Sequence, residues 1–389
     1  MGAIRFLTAG ESHGQGLSVI IEGMPAGLPL SEDYMAQDMA RRQKGYGRGP
    51  RMQIERDRAV IVSGVRHGLT LGSPIALSIQ NRDWENWKEV MSVTPVEGEV
   101  KRVTRLRPGH ADMPGVLKYH QGDVRNILER ASARETAART AVGAVCRRFL
   151  EEFGIQVHSS TVAIGGHVAK PCRPIDWKRV DESPVRSADP EAEKLMIAAI
   201  DEAKESGDTV GGIFEVVATG VPVGLGSHVH WDRKLDGRIA QAMMSINAMK
   251  GVEIGGGFDS THLKGSQVHD VIEPFDPAQG RTWSRATNRA GGIEGGMSNG
   301  EEIVVRVAVK PISTLAKPLP SVDLVTGEKI QAHYERSDVC QVPPAGVVGE
   351  AVLATVLADA FLEKFGGDHI DETRRNYQGY LKTLAEPPE

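Results

Sequence analysis

The sequence contains few cysteines and few aromatic residues, and both shortages restrict what the protein can be. Its 389 residues include Cys146, Cys172 and Cys340, which form no CxxC pair and no disulfide framework. The N-terminal segment MGAIRFLTAGESHG lacks the shape of a secretory signal, and no apolar run approaches the length needed to span a membrane. We therefore expect a reduced, cytoplasmic protein without a membrane partner.

Aromatic residues make up only 5% of the chain, whereas glycine occurs 44 times, which indicates many tight turns. The net charge of −5 hides an uneven distribution, because residues 41–58 and 101–134 each carry +5 and leave −15 for the rest. Positive charge concentrated in an acidic protein favours a small anionic ligand held in one place. A nucleic-acid-binding protein would more often be basic overall.

Hydrophobic periodicity predicts an α+β fold. We expect strands at 5–9, 17–22, 59–65, 74–79, 156–164, 213–219 and 303–309, and helices at 31–43, 132–154, 190–205, 235–250 and 347–365. Short turns between strands imply antiparallel pairing, and helices in separate blocks favour the α+β class. No GxGxxG motif follows the first strand, so a dinucleotide-binding domain is disfavoured.

One long, alanine-rich helix is predicted with both of its ends marked. Ser132 and Glu135 form a capping-box pattern, and Gly154 has the position of a left-handed C-cap. Arg130 and Arg134 flank the start, where the helix dipole already disfavours cations. This conflict favours an anion-binding site at the helix start. The alternative is a solvated first turn with both arginines in water.

Two histidines are candidates for acid–base chemistry. His13 lies between glycines in GESHGQG and is accessible, although a single loop histidine is usually only solvated. His110 follows a Pro-Gly turn in RPGHAD, with Arg107 nearby and with Asp112 able to orient its ring. Histidines in two cationic loops suit general-acid work on an anionic leaving group.

The loop RRQKGYGRGPRM presents Arg42, Arg48 and Arg51. Arginine binds phosphate and carboxylate in a bidentate manner. The alternative is an RNA-binding loop, which usually interleaves aromatic residues for stacking, and only Tyr46 is available. We therefore favour small anions as ligands of this loop.

A glycine-rich segment, GGIEGGMSNGEE, precedes a strand and then the motif KPIST. Its backbone N–H groups, with Lys310, Ser313 and Thr314, could close on a phosphate, or the glycines could only form turns. The motif RSDVC places Asp338 beside Arg336, as a structural ion pair or as a general base with balanced charge.

The sequence HVH at 228–230 has metal-ligand spacing, but two histidines on one strand face would lack partners, so we assign no metal. A weak internal repeat is also present, because FLEEFG at 149–154 is echoed by FLEKFG at 361–366. The repeat indicates a duplicated unit with two central helices, and chance explains six matched residues equally well.

The motifs GESHG, RRQKGYGRGPRM, RPGHAD, RASARETAART, SINAMKGVEIG, TNRAGGIEGGMSNG, KPIST and RSDVC occur in this order. Together they resemble the chorismate synthase family in its longer bacterial form, over about residues 5–380. The resemblance implies one catalytic domain over 1–389. It also implies a β-α-β sandwich of antiparallel sheets around long Ala-rich helices, with internal pseudo-symmetry, and a homotetramer. Segments 165–208 and 258–284 carry no motif and are expected to be variable or mobile, and 374–389 a polar tail.

The resemblance further implies an activity, a 1,4-anti elimination of phosphate from 5-enolpyruvylshikimate 3-phosphate that gives chorismate. The cofactor would be reduced FMN, without net redox change. NADPH would act only as an indirect reductant, and an external flavin reductase would be a partner.

By the same resemblance, His13 would protonate or hydrogen-bond the leaving phosphate, His110 would donate a proton near flavin N1, and Asp338 would help N5 accept the substrate proton. Substrate would be bound by Arg48, Arg51, Arg107, Ser132, Arg134, Arg336 and Ser337. FMN would be contacted by Arg130, Ala131, Ser132, Asn247, Ala248, Gly295, Lys310, Pro311, Ile312, Ser313, Thr314 and Arg336. The positions linked with a nicotinamide nucleotide are Arg42 and Arg48.

From the residues alone, two other classes of function remain open. An RNA- or polyphosphate-binding module would use both basic stretches and would lose affinity steeply with salt. A phosphatase or kinase-like enzyme would need an activated nucleophile or a metal site, and the sequence shows neither a P-loop nor an acidic metal cluster.

Overall fold

The computed structural model describes residues 2–49, 56–98, 101–274, 284–335 and 337–384. The N-terminal part forms a four-stranded antiparallel sheet in the order β1-β2-β6-β3. Its strands, together with the small ribbon β4–β5, are β1 (Arg5–Ala9), β2 (Gly16–Glu22), β3 (Ala59–Ser63), β4 (Val65–Arg66), β5 (Leu69–Thr70) and β6 (Ile75–Gln80).

A second, five-stranded sheet has the order β10-β15-β9-β7-β8, and its pairs are also antiparallel. This sheet and three two-stranded ribbons are built from β7 (Gln156–Ile164), β8 (His167–Val168), β9 (Gly212–Thr219), β10 (Met249–Ile254), β11 (Ile272–Glu273), β12 (Ser284–Arg285), β13 (Ile293–Glu294), β14 (Met297–Ser298), β15 (Ile303–Val309), β16 (Pro320–Val322) and β17 (Lys329–Gln331). The predicted antiparallel pairing is confirmed.

The helices of the described residues are α1 (Glu32–Gln43), α2 (Asp112–Tyr119), α3 (Arg125–Ala131), α4 (Thr136–Glu151), α5 (Trp177–Glu182), α6 (Pro190–Ser206), α7 (Leu235–Met244), α8 (Gly265–Val268), α9 (Val342–Phe365) and α10 (Ile370–Leu384). Long helices and antiparallel sheets occur together, so the α+β class is confirmed.

The helices α4 and α9 form the centre of the core. Helix α4 packs against strands of the first sheet and against α9, which in turn packs against β7 and β9 of the second sheet. The two helices cross so closely that a Cβ atom on Gly143 would lie 2.2 Å from the Cβ of Ala351. The small residues of α4 therefore permit the backbone contact on which the core is built.

Helix α9 corrects one expectation from the sequence. It has 24 residues, and its most apolar window has a mean hydropathy of 1.8, so by length and composition it could cross a membrane. However, 83% of that window is buried inside the fold. The expectation that no apolar segment is long enough to span a membrane is therefore wrong for α9. Because this helix is buried on nearly all sides, it needs no polar face, and most of its residues are apolar.

The predicted helix 132–154 is interrupted at its start. Ser132 has extended backbone and separates α3 from a short 3₁₀ turn, and α4 begins only at Thr136. The capping box is also wrong, since Ser132 accepts the N–H of Arg134 and the Glu135 carboxylate accepts the Thr8 hydroxyl. The predicted left-handed position of Gly154 is confirmed, with φ of 77°.

Three other boundaries differ from the predictions. The helix predicted over 235–250 ends at residue 244, and the chain enters strand β10, where Val252 and Ile254 pair with β15. Helix α9 starts five residues before the predicted 347, with prolines in its first turn. The polar tail predicted from 374 lies largely within α10.

No strand occurs in the described residues between 81 and 104, which form a 3₁₀ turn and loop.

Candidate active site

The loop that carries His13 connects β1 to β2 and is held by Asn81. The side-chain amide of Asn81 donates to the carbonyl oxygens of Glu11, Ser12 and Gly14 at 3.1, 3.2 and 2.7 Å. Asn81 is 4% exposed, so these bonds are shielded from water. The chain therefore presents His13 on a fixed loop and not on a solvated one.

His13 itself is bound by a carboxylate that the sequence analysis did not identify. Its backbone N–H donates to Glu129 Oε2 at 2.8 Å, and its Nδ1 lies 3.0 Å from both oxygens of that carboxylate. The ring stacks on Trp87 with centroids 3.8 Å apart. Arg125 donates to Glu129 at 2.7 Å.

His110 forms a second histidine–carboxylate pair, as predicted. Its Nδ1 lies 2.5 Å from Oδ1 of the fully buried Asp112, which also accepts Arg107 Nε at 2.8 Å. Burial alone would raise the pKa of Asp112, but bonds from His110 and Arg107 outweigh it and lower the pKa. Arg107 donates further to Thr314 Oγ1 at 3.3 Å, which connects this pair to the KPIST motif.

Two of the predicted arginines share one buried carboxylate. Asp57 accepts Arg42 Nη1 at 3.1 Å and also Arg134 Nη1. Arg134 donates at 3.0 and 2.8 Å to Oδ1 of Asn81, which connects it to the His13 loop. Burial lowers the pKa of Arg42 to about 10, with Asp57 opposing that shift and Arg134 and Arg48 adding to it. Of the two arginines predicted to crowd the helix start, Arg134 is thus paired with Asp57, whereas Arg130 donates to neutral oxygens.

Arg48 and Asp338 meet, although 290 positions separate them in sequence. Arg48 Nη1 donates to Asp338 Oδ2 at 2.7 Å, and the backbone N–H of Gly49 donates to Oδ1 at 2.6 Å. A Cβ atom on Gly49 would lie 2.9 Å from the carbonyl oxygen of Ser337. Residues 48–49 therefore pack directly on residues 337–338.

Two contacts and longer-range electrostatic interactions connect these groups. Ser132 Oγ donates to Ser12 Oγ at 3.1 Å. Arg125 Nη2 lies 3.5 Å from Glu335 Oε1. Burial alone would raise the pKa of Glu335, but His333, Arg125 and Arg107 outweigh it and lower the pKa to about 2. Glu335 thus contacts Arg125 of the His13 group and interacts electrostatically with Arg107 of the His110 group.

Several of the predicted FMN-contacting residues are held by hydrogen bonds to neighbouring segments. Arg130 donates to the carbonyl oxygens of Thr8 and Gly10, and Asn247 donates to the carbonyl of Ala131 at 2.9 Å. Ala248 has an unusual φ of 71°, and its carbonyl accepts the N–H of Lys310 at 3.0 Å.

The ammonium group of Lys310 donates to the carbonyl oxygen of Gly109, beside His110. Burial, and then the nearby Lys250, lower the pKa of Lys310. Within the described residues, neither Arg130 nor Lys310 lies within ion-pair distance of a carboxylate. Both cations are satisfied only by neutral oxygens, as expected where an anion is to bind.

Several predicted residues are not brought into the network. Arg51 and Arg336 lie outside the described residues. Gly295 lies at the tip of the β13–β14 hairpin, and no hydrogen bond of the described chain joins it to the other groups. Pro311 is exposed, and the Ile312 carbonyl accepts the hydroxyl of Thr209.

The histidines at 228 and 230 lie in a bend and not on the predicted strand. His230 Nδ1 is 2.7 Å from Asp232 at the surface. Among the residues that the structure describes, no group of three or more His, Cys, Asp or Glu could hold a metal ion.

Comparison with known proteins identifies the family. The family model described as chorismate synthase matches residues 4–362. The chorismate synthase of Moorella thermoacetica is 58% identical over 386 residues, which cover 98% of this chain and all of that protein. The chorismate synthase of Aquifex aeolicus is 56% identical, and the aligned region covers 97% of this chain and 97% of that protein. A crystal structure titled as chorismate synthase aligns with a TM-score of 0.79 at 47% identity, over 98% of both chains.

The chain belongs to the chorismate synthase family. Chorismate synthases eliminate phosphate from 5-enolpyruvylshikimate 3-phosphate to give chorismate, a step of the shikimate pathway to aromatic amino acids, and the chain is accordingly a carbon–oxygen lyase. Members of the family need reduced FMN.

Sequence reasoning missed five polar or aromatic side chains of the candidate site: Asp57, Asn81, Trp87, Glu129 and Glu335. Glu129 lies in the RNILERASAR segment, and Asp57 is one of two acids in a basic stretch. An isolated acid among arginines could have been read as their buried counter-ion.

Proposed function

We propose that the network around His13, His110 and Asp338 is the active site of the elimination. The observation that supports this most is their convergence. Hydrogen bonds and ion pairs join the His13 loop to Glu129 and Ser132, and Arg48 to Asp338. Electrostatic interactions through Arg42 and Glu335 connect these groups to each other and to the segment of Arg107 and His110. Residues so distant in sequence meet in this way where one ligand is to be held by several segments.

His13 would protonate or hydrogen-bond the leaving phosphate, because its ring is fixed by neighbouring groups. Asp338, held by Arg48 and Gly49, would assist removal of the substrate proton. Guanidinium and hydroxyl groups would bind the phosphate and carboxylates of the substrate through charge-assisted hydrogen bonds. These groups belong to Arg48, Arg51, Arg107, Ser132, Arg134, Arg336 and Ser337.

Reduced FMN, when bound, supplies electron density that weakens the allylic carbon–oxygen bond. The two cations without a carboxylate partner, Arg130 and Lys310, fit its phosphate and polar ring atoms. Ser132, Asn247, Ser313 and the other predicted residues would complete the set. His110, whose Nδ1 is engaged by Asp112, would present the other nitrogen to the cofactor.

NADPH would act only as an indirect reductant, through an external flavin reductase. Arg42 is 5% exposed, and its guanidinium donates to Asp57, Thr136 and the carbonyl of Ala133. These contacts occupy the guanidinium of Arg42 and favour a structural role over nucleotide binding.

We also propose one catalytic domain in a cytoplasmic homotetramer, built as a β-α-β sandwich with internal pseudo-symmetry. In support, the repeated FLE(E/K)FG segments are neighbours, since the rings of Phe153 and Phe361 are 4.5 Å apart. Each repeat ends in a glycine with positive φ, Gly154 and Gly366. Sedimentation equilibrium should give about four times the chain mass of 42.0 kDa.

The activity is tested with purified protein, dithionite-reduced FMN and the enolpyruvyl substrate under anaerobic conditions. Phosphate and chorismate should appear together, and only when the flavin is reduced. Phosphate release with oxidised FMN at the same rate would contradict the role given to the cofactor.

Burial disfavours the RNA-binding alternative. Arg42, Arg107 and Arg134 are 5–7% exposed and are paired with Asp57 and Asp112. Buried guanidinium groups cannot form the extended basic surface that a polynucleotide requires. Strong, salt-sensitive binding to RNA at physiological salt would reverse this conclusion.

A further inference from the structure

Glu129 combines more contacts to His13 than a structural ion pair requires. Its side chain is 2% exposed. Its carboxylate accepts both the backbone N–H and, at 3.0 Å, the ring Nδ1 of His13. Its backbone carbonyl accepts the N–H of Ser12 at 3.1 Å. One residue thus fixes both the main chain and the ring of the proposed general acid.

A carboxylate beside Nδ1 determines which ring nitrogen carries a proton. An ionised carboxylate only accepts hydrogen bonds, so Nδ1 of His13 must be the donor. Burial alone would raise the pKa of Glu129, but the bonds from His13 outweigh it and lower the pKa, which keeps the group ionised at neutral pH. In the neutral ring Nε2 then has no proton, and it can donate only as part of the imidazolium.

Trp87 and Arg125 complete the support. The indole stacks on the His13 ring at 3.8 Å and 26°, and Arg125 lies 5.1 Å from the centroid of Trp87 while donating to Glu129 at 2.7 Å. Stacking sets the plane of the imidazole, and the carboxylate sets its rotation within that plane. The Nε2 edge is therefore directed away from Glu129.

Charged groups from several segments face this pair, namely Arg125 on α3, His333 and Glu335 before the RSDVC segment, Arg107 before α2, and Asp83, which accepts the indole N–H of Trp87. Arg125 contacts both Glu129 and Glu335. Of these acids, Glu129 is the one whose carboxylate contacts the His13 ring directly.

We propose that Glu129 is the positioning residue of the elimination. It fixes the Nδ1–H tautomer of His13, directs Nε2 to the leaving phosphate and stabilises the imidazolium. As the carbon–oxygen bond breaks, its electron pair goes to the phosphate oxygen and the Nε2 proton is transferred to that oxygen. The neutral ring stays bonded to Glu129 and later regains a proton from solvent. This inference rests on the proposed function of the site.

The kinetic test is Glu129→Gln, assayed anaerobically with reduced FMN. We expect kcat to fall roughly 100-fold, with KM for the enolpyruvyl substrate changed less than threefold. The alkaline limb of the pH profile of kcat should move to lower pH, because the imidazolium loses its counter-charge. Glu129→Asp should regain part of kcat, since the charge is kept. Asp232→Asn removes the carboxylate of an exposed His–Asp pair and should leave kcat unchanged.

A double variant separates positioning from general destabilisation. In a His13→Ala background, Glu129→Gln should reduce kcat less than threefold further. A full additional 100-fold loss, or a single Glu129→Gln variant within threefold of the native kcat, overturns the proposal.

A measurement without turnover distinguishes this inference from the proposed function. Nitrogen-15 NMR of histidine-labelled protein, with His13→Ala for assignment, should show His13 protonated at Nδ1, and the signal should change in Glu129→Gln. A native ring protonated only at Nε2 overturns the role of Glu129. Native protein that shows the Nδ1–H tautomer but yields no chorismate instead contradicts the proposed function of the site.

Discussion

Asp57 is the residue on which two site arginines depend. It is 6% exposed and accepts both Arg42 and Arg134. Asp57→Asn should remove the carboxylate that two buried guanidinium groups share, and removal of one partner from a buried ion pair costs about 3–5 kcal/mol. We expect a correspondingly lower urea midpoint, followed by fluorescence of the tryptophans.

The control for this prediction is Asp33→Asn. Asp33 pairs with Arg58 at 2.5 Å, but its side chain is 84% exposed, and surface pairs contribute about 0–1 kcal/mol. Equal destabilisation by both variants would show that burial of Asp57 is not the cause.

The lowered pKa of Glu335 predicts that the stability of the fold depends on pH. Its pKa is lowered to about 2 in the folded chain, so its stabilising contribution is complete above the unfolded pKa of about 4.3. That contribution is lost as the pH falls from about 5 to 2. Glu335→Gln should therefore flatten the acid side of the stability curve measured by urea unfolding at a series of pH values. The exposed Glu328→Gln variant should retain the native slope.

Sequence reasoning at the residue scale found the cations, the histidines and the nearby counter-ion Asp112, but not the distant counter-ions Asp57 and Glu129. Arginine-rich and histidine-containing loops are visible as local patterns, as at Arg48 and His110. Glu129 meets His13 across 116 positions, and Asp57 meets Arg134 across 77. Such pairings depend on which loops the fold brings together, and a single sequence has no local signal for them.

Among the elements, the α4–α9 crossing is sensitive to a change of one methyl group. Gly143→Ala would improve helix propensity by about 1 kcal/mol, but the added Cβ would lie 2.2–2.6 Å from the Cβ, Cα and carbonyl oxygen of Ala351. Since two backbones would have to separate, we expect a net loss of several kcal/mol or failure to fold. Thermal unfolding followed by circular dichroism measures this.

The matched substitution Gly379→Ala in α10 should have the opposite effect on stability and raise the free energy of unfolding. Nothing lies within 4 Å of a Cβ at this position, so the gain in helix propensity of about 1 kcal/mol should appear undiminished. A stabilising Gly143→Ala variant would mean that α4 and α9 can move apart without loss of packing.

Element boundaries were predicted well where local chemistry sets them and poorly where tertiary contacts do. Helix α1 begins after Ser31, whose side chain accepts the N–H of Tyr34, and α6 begins after Asp189 in the same way. By contrast, α7 ends early because strand β10 pairs with β15. Helix α10 was missed because its aromatic face, Tyr377 and Tyr380, packs on the phenylalanines of α9.

For the whole molecule, the site is assembled by loops at the edges of a common core. A single hydrophobic cluster extends from the first sheet through α4 and α9 to the second sheet. The α+β class follows from periodicity, because patterning is a local property repeated along the chain. The order of strands does not, since residues 59–80 and 303–309 enter their sheets out of sequence order. The family motifs supplied the site because they span loops that only the fold brings together.

Binding of reduced FMN should stabilise the whole fold through the two cations that lack a carboxylate partner. A ligand at 100 times its Kd raises the free energy of unfolding by about 2.7 kcal/mol. Arg130→Met and Lys310→Met should unfold like the native protein without flavin, because neither side chain pairs with an acid, yet both should lose most of the rise in Tm under dithionite-reduced FMN. The exposed Lys178→Met variant should keep it. If Lys310→Met retained the full flavin-dependent rise, Lys310 would have to be removed from the cofactor site.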